Sequence, residues 1–307
     1  MCAKVFAGRT LGMDKKLKGL VNNKISIFGF EFDKKTLFIS LISAVGVLGI
    51  LIALTLFGVD VSWYGVLFGL GFLVALILSS QLCKEREVDP EFPYVVIWFI
   101  FPLSILGARI YYLQFHGGIE SFVEVLKFWQ GGLAVYGGII GGLIGLILAC
   151  VWKRVNIISM TDVAAPLLAI GQFFGRIGCI FGNCCYGNEV TRKALQWFPI
   201  SIKVHGEYHY ATNFYESLFN LGLFFGLTIL LRKTKIKGLP TCAYLVGYGV
   251  VRFILEMFRA EEQTLYIGNY PVSQLLSLIL VVVGAAGIIS LLVVNYGKSR
   301  KSSTSTK

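Results

Sequence analysis

Arg109, Arg176 and Arg252 are the residues of this chain best fitted to chemistry, because each lies inside a long apolar stretch. The run around Arg176, Val163 to Phe181, holds no other charge and is punctuated by glycine, reading Gly-Gln-Phe-Phe-Gly-Arg-Ile-Gly-Cys over 171–179. A guanidinium keeps its charge in any protein, and holding one at membrane depth costs roughly 2.5–3.5 kcal/mol on insertion scales. Such a residue calls for an anion. Glu256 follows Arg252 by four residues, on the same helix face, and Glu216 stands in another apolar run. Two carboxylates against three arginines leave one positive charge over, and the planar fork of arginine suits a phosphate. Tyr64 and Tyr136 add phenols near the starts of two more apolar runs. Taken singly, each also fits an interfacial anchor.

The cysteines promise less. Seven occur, at 2, 83, 150, 179, 184, 185 and 242, and none forms a C-x-x-C pair. The C-x4-C-C run at 179–185 matches no zinc spacing. These residues read as small apolar fillers with at most a local disulfide. No metal and no cofactor are expected.

Long apolar elements must position the polar groups. The chain has 307 residues, 56% of them hydrophobic and 15% charged, with a mean hydropathy of +0.73. Soluble domains run about 45–50% apolar and about 25% charged. The excess arrives in blocks of about 20 residues, which span a bilayer's hydrocarbon core. The expected fold is an all-α polytopic membrane protein with about eight transmembrane helices, near 37–57, 63–82, 93–114, 133–152, 163–181, 213–231, 239–258 and 271–294. The first 36 residues are basic and polar, without the pattern of a cleaved leader.

The net charge of +11 invites a nucleic-acid partner, but 20 of the 28 Lys and Arg flank the apolar runs on alternate sides. That is a topology signal, placing both termini in the cytoplasm and excluding a nucleic-acid reading. The expected divisions are a basic cytoplasmic segment (1–36), an N-terminal helix (37–58), a membrane core (59–295) and a cytoplasmic tail (296–307). The loop 182–212, with two of the three histidines, is expected to form a small extracytoplasmic head, and 115–132 a second outer loop able to re-enter the membrane. With this topology Arg109, Arg176, Arg252 and Glu256 fall in the outer halves of outward-running spans. Tyr64, Tyr136 and Glu216 open inward-running ones, so six spans bring polar groups to one level. Glycines 137, 141 and 145 recur every fourth residue, a stripe for close helix packing or for lining a cavity.

Several segments, in order, resemble the prolipoprotein diacylglyceryl transferases. They are Ser-Trp-Tyr-Gly (62–65), Leu-Gly-Ala-Arg-Ile (106–110), Trp-Gln-Gly-Gly-Leu-Ala-Val-Tyr-Gly-Gly-Ile-Ile-Gly (129–141), Gly-Arg-Ile-Gly (175–178) with Gly187, Asn-Phe-Tyr-Glu (213–216), and the run from Gly247 to Arg259. The resemblance covers about residues 60–295. It implies a seven-helix core of the bacterial inner membrane, to which this chain adds one N-terminal helix. It also implies transfer of a diacylglyceryl group from phosphatidylglycerol to the lipobox cysteine thiol of a prolipoprotein, the first step of lipoprotein maturation, with glycerol 1-phosphate leaving. By the same resemblance Arg176 contacts the lipid phosphate, Arg252 and Glu256 form the essential helix pair, Tyr64 is the essential tyrosine, and Gly187 closes the signature. Arg109 and Glu216 join the phosphatidylglycerol-binding set. Tyr136 stands where the family has a histidine, and Cys179 and Cys184 stand where it has asparagine and glutamate.

The implied reaction needs positive charge on the departing phosphate and removal of a proton from a thiol that titrates near 8.5. A phenol titrates near 10, so Tyr136 serves as base only beside arginines; otherwise the arginine field itself favours the thiolate. Three rival readings stay open: a diverged enzyme acting on another thiol acceptor, a lipid or anion transporter, and a non-catalytic partner. A transporter would often show paired repeats or broken helices, and no such symmetry is visible.

Overall fold

Apolar runs of bilayer length fold into helices because only a helix satisfies its own backbone polar groups in hydrocarbon. The computed structural model describes residues 24–27, 30–33, 63–115, 125–127, 132–260, 266–267 and 270–304. Among these, seven helices are long and apolar enough to cross a membrane. They are α1 (Trp63–Lys84), α2 (Phe92–Phe115), α3 (Val135–Lys153), α4 (Ile157–Phe181), α5 (Thr212–Lys233), α6 (Leu239–Glu256) and α7 (Val272–Thr304). The span expected at 37–57 lies outside the described residues, as does most of the loop expected to re-enter at 115–132.

The chain divides into two compact units, residues 1–62 and 63–307. In the first, β1 (Lys24–Ile27) pairs antiparallel with β2 (Phe30–Asp33), setting Lys24 opposite Asp33 and Ser26 opposite Glu31. The second unit holds all seven helices. Its outward faces are apolar: Trp98 is 81% exposed, Val293 66% and Ile139 62%. A contiguous surface of that kind is fit for lipid rather than water. This is a polytopic membrane protein.

The helices pack as neighbours: α1 on α4, α2 on α3, α4 on α5, α6 on α7, with α6 also touching α4 and α5. The glycine stripe explains the α2–α3 pair. A methyl at Gly137 would overlap the Gly107 carbonyl, one at Gly141 the Leu103 carbonyl, and one at Gly145 would come within 2.8 Å of the Phe99 oxygen. The stripe is thus filled by the backbone of α2, the packing use of small residues.

At the end opposite the 182–212 loop, a buried ion pair ties four helix termini together. Asp162 accepts from Arg86 Nε at 3.1 Å, the Gly238 amide at 2.8 Å and the Thr241 hydroxyl at 2.8 Å. Arg86 also donates to the carbonyls of Leu231 and Thr234. Arg86, one of the charges that flank the apolar runs, is thereby buried as well.

The 182–212 loop forms a small head. Strands β3 (Ser201–Val204) and β4 (Glu207–Tyr210) make an antiparallel hairpin. His205 and Gly206 turn it with φ of 49° and 98°, the positive pair that a tight two-residue turn requires. Residues 187–190 run beside β4: Gly187 and Val190 amides donate to the Tyr210 and Tyr208 carbonyls. A short pair, β5 (Tyr266–Ile267) and β6 (Tyr270–Pro271), precedes α7.

Candidate functional site

Helix direction alternates along the chain, so the C-terminal ends of α2, α4 and α6 lie with the N-terminal ends of α1, α3 and α5 at the head end. There Arg176 of α4 faces Glu216 of α5 at 2.9 Å. The other oxygen of Glu216 accepts from Arg252 Nη1 of α6 at 3.4 Å. Arg252 Nη2 meets Glu256, one turn on, at 2.7 Å, and the same carboxylate oxygen takes Arg259 at 3.5 Å. Five charges thus alternate in one chain: Arg176, Glu216, Arg252, Glu256, Arg259. The carboxylates are buried, with side chains 3% and 0% exposed, whereas Arg176 keeps 20% open. The two anions are therefore spent on holding guanidiniums, and the guanidiniums retain faces for a ligand. Three arginines against two glutamates leave one positive charge. Tyr248 of α6 lies within electrostatic reach of Glu216, Arg176 and Arg252.

Asn213 and Glu216 are one turn apart at the start of α5, and they divide the work. Glu216 holds the arginines, while the Asn213 amide donates to the Cys184 carbonyl at 3.3 Å and the Thr212 hydroxyl to the Cys185 carbonyl at 3.1 Å. The loop after α4 is thereby pinned to the head of α5. The Gly182 amide returns to the Gly178 carbonyl and the Cys184 amide to Cys179, with Asn183 and Cys185 at positive φ. This fold-back brings the sulfurs of Cys179, Cys184 and Cys185 within 4.8 Å of one another. The Cys179 thiol donates to Cys185, and Arg176 and Arg259 reinforce the effect, so the Cys185 thiol is held down to about 5. Burial acts the other way and raises Cys184. The C-x4-C-C run stood out in the sequence but read as apolar filler with at most a local disulfide, because its closure depends on two left-handed residues after the helix rather than on a metal-motif period.

Tyr64, at the first turn of α1, lies over the same loop: a methyl on Gly178 would reach its ring at 3.1 Å and one on Gly182 its Cβ at 3.8 Å. Tyr64 also lies within electrostatic reach of Arg176 and the three cysteines. Gly187 is crowded by Tyr210, Thr212 and the Phe258 carbonyl, and it pairs across a bridge with Arg259. It joins the head to the end of α6 and leaves no room for a side chain.

Arg109 and Tyr136 belong to the α2–α3 pair instead. Arg109 donates to the Gly132 carbonyl at 3.4 Å and lies 5.9 Å over the Tyr112 ring, and Tyr136 sits 6.3 Å from the Tyr111 ring. Of the predicted site residues, then, Arg176, Glu216, Arg252 and Glu256 form one connected network, with Tyr64 and Gly187 beside it; Arg109 and Tyr136 stand on a neighbouring pair. Arg259, Tyr248, Thr212 and Asn213 were not anticipated. Two signals were available: Arg259 stands at i+3 from Glu256, and Asn213 at i−3 from Glu216.

Beside the cysteine loop the head opens a cavity of about 450 Å³, lined among others by Asn183, Trp197, Phe198, Lys203 and Tyr208. Its rim carries Trp197 and Phe198, both more than half exposed.

A family model described as "Prolipoprotein diacylglyceryl transferase" matches residues 51–290. A Clostridium perfringens protein named phosphatidylglycerol–prolipoprotein diacylglyceryl transferase 1 is 32% identical over 257 residues, 81% of this chain and 97% of its own. A Streptococcus agalactiae protein named phosphatidylglycerol–prolipoprotein diacylglyceryl transferase is 37% identical over 246 residues, 78% of this chain and 94% of its own. One from Clostridium botulinum with that name is 34% identical over 225 residues, 71% of this chain and 88% of its own.

Proposed function

Because this chain belongs to the prolipoprotein diacylglyceryl transferase family, we infer that it is a membrane transferase moving a diacylglyceryl group from phosphatidylglycerol to prolipoprotein in lipoprotein maturation. The acceptor is the lipobox cysteine of a prolipoprotein signal peptide, and the enzyme works in the bacterial inner membrane. The head faces outward, both termini lie in the cytoplasm, and the segment 37–58 adds an eighth helix to the seven of the core.

The observation that carries the mechanism is the surplus positive charge of the alternating network at the head end. Phosphatidylglycerol brings one phosphate anion, which fills that surplus. Arg252 and Arg176 bind the phosphate as charge gathers on it, and fixed donors in a dry site act there without reorganising. Glu216 and Glu256 hold the two guanidiniums at a set separation. Tyr64 and Gly187 border the lipid site beside them, and Arg109, from the neighbouring α2–α3 pair, is a further lipid contact. The acceptor sulfur, as thiolate, forms a bond to the glyceryl carbon. The C–O bond to phosphate breaks, and its electron pair leaves on glycerol 1-phosphate. The product is a thioether.

Tyr136, as its phenolate, is the proposed base that takes the thiol proton, and the arginine field is the alternative source of thiolate. Tyr136→Phe decides between them: turnover at the wild-type rate removes the phenol from the mechanism.

Purified protein incubated with phosphatidylglycerol and a lipobox peptide should add the mass of one diacylglyceryl group to the peptide. Replacing the acceptor cysteine by serine should abolish the product. Binding of phosphatidylglycerol with no thioether formed would favour the transporter or partner readings instead.

A further inference from the structure

The cysteine trio is the feature that the charge network leaves unused. Its three sulfurs come from the last turn of α4 and from a loop pinned by Thr212 and Asn213, so the arrangement is held by the fold. A tetrahedral zinc centre with Zn–S bonds of about 2.3 Å has sulfurs about 3.8 Å apart. All three sulfurs here lie within 4.8 Å of one another, so a small rotamer adjustment brings them to that spacing. Soft thiolates select zinc-class cations over magnesium or calcium.

The surroundings of the trio bear on what such a centre would do. Three protein ligands leave one tetrahedral position open, the pattern of catalytic rather than structural zinc. The trio adjoins Tyr64 and Arg176, at the same end of the helices as the phosphate-binding arginines. Arg176 and Arg259 lie within electrostatic reach of Cys185, offsetting the negative charge that gathered thiolates carry. Among the described residues, moreover, the alternating network contains no histidine, and His209 is engaged in the head with the Gly187 carbonyl. The reaction proposed above needs a deprotonated sulfur, and a coordinating thiol is deprotonated outright.

We propose that Cys179, Cys184 and Cys185 form a three-thiolate site for a zinc-class cation, whose fourth position takes the acceptor's thiol as a thiolate. The second half rests on the transferase reading; the first does not. Each ligand thiol gives its proton to water when the metal binds, and the acceptor thiol does the same on entering the fourth position. Its sulfur then forms the S–C bond while the C–O bond to phosphate breaks.

The test uses the reduced full-length protein in detergent. Titration with Co²⁺ should give a saturable thiolate charge-transfer band and visible bands at one equivalent, and Zn²⁺ should displace them. The double variant Cys184→Ser/Cys185→Ser should lose the signal, and so should Cys179→Ser. Adding a lipobox peptide without phosphatidylglycerol should shift the visible bands, whereas its Cys→Ser form should not. At pH 7 a free thiol is only a few per cent ionised, so the zinc-loaded enzyme should turn over about tenfold faster than the chelated one, with a flatter rise towards pH 8.5.

No saturable band, or an equal band in the serine variants, overturns the site. A band unmoved by the cysteine peptide, or equal turnover with and without zinc, overturns the role in thiol activation while leaving the transferase reading intact. A normal band with no thioether from either form overturns the transferase reading, and with it that role, while the metal site stands.

Discussion

At the residue scale, Glu216 is the hinge of the network, because it is the one carboxylate that bridges two helices' arginines. It is 2% exposed and faces Arg176 at 2.9 Å and Arg252 at 3.4 Å. Removing one partner of such a group leaves buried charge uncompensated. Glu216→Gln should lower kcat/KM by about 10²-fold, the usual effect of losing one preorganised element of charge stabilisation. Arg252 meets both glutamates through separate nitrogens. A lysine has one nitrogen and no fork, so Arg252→Lys should fail to rescue and should lose at least as much. Steady-state kinetics with a lipobox peptide check both. Wild-type rates in Arg252→Lys would show that bridging is irrelevant.

The network also shows what a linear reading captures. Arg252 and Glu256 were legible as an i, i+4 pair, and the isolated charges at Arg176 and Glu216 were legible as needing partners. Which arginine meets which glutamate was not legible, because it depends on the rotation of three helices. Arg259 takes the third cationic place expected of Arg109 for that reason: the chain turns at the end of α6 and lays it back on Glu256.

At the element scale, two contacts set how the helices stand. The first is the Arg86–Asp162 pair, which gathers α1, α4, α5 and α6 at the end far from the site. Asp162→Ala should destabilise the protein by about 3–5 kcal/mol, because it strands a buried guanidinium. The loss should appear as a lower Tm in detergent, with turnover per folded molecule nearly unchanged. A fall in kcat at full folding would mean that the lock shapes the site directly. The second is the α2–α3 seam. Gly141 lies against the Leu103 carbonyl, whereas Gly138 sees nothing nearer than 3.7 Å. Gly141→Val should therefore cost about 1–3 kcal/mol by overpacking, while Gly138→Ala should be tolerated. Thermal unfolding of the pair settles this, and equal stability would rule out the seam as a tight contact. The helix ends read from hydropathy came within a few residues, except that α7 runs ten residues past 294, to Thr304, and that α4 begins early. It starts six residues earlier than the apolar run, at Ile157, because Asn156 caps it by accepting from the Ser159 amide. Ser159, Thr161 and Asp162 break the apolar run there and hide the first turns from a hydropathy window.

At the scale of the whole molecule, charge asymmetry and apolar faces define a membrane protein with distinct ends. In the helical unit one end carries the Arg86–Asp162 lock together with Lys84, Lys153, Arg154, Arg232 and Lys233; the other carries the head and the arginine–glutamate network. The proposed orientation puts the head outside. In intact cells, a membrane-impermeant thiol reagent should label Lys203→Cys above background and leave Lys235→Cys at background. Labelling of Lys235→Cys but not Lys203→Cys would invert the orientation and remove the outer leaflet as the source of the lipid.

Length, hydropathy and charge placement were enough to specify a polytopic helical protein, because the cost of an unsatisfied backbone in hydrocarbon depends only on local sequence. The ordered glycine, arginine and glutamate segments were enough to indicate the family. Tertiary structure alone decided the closed charge network, the separation of Arg109 and Tyr136 onto the α2–α3 pair, and the meeting of three sulfurs. Those outcomes depend on helix rotation and on a loop held by Thr212 and Asn213, contacts between residues that sequence spacing does not relate.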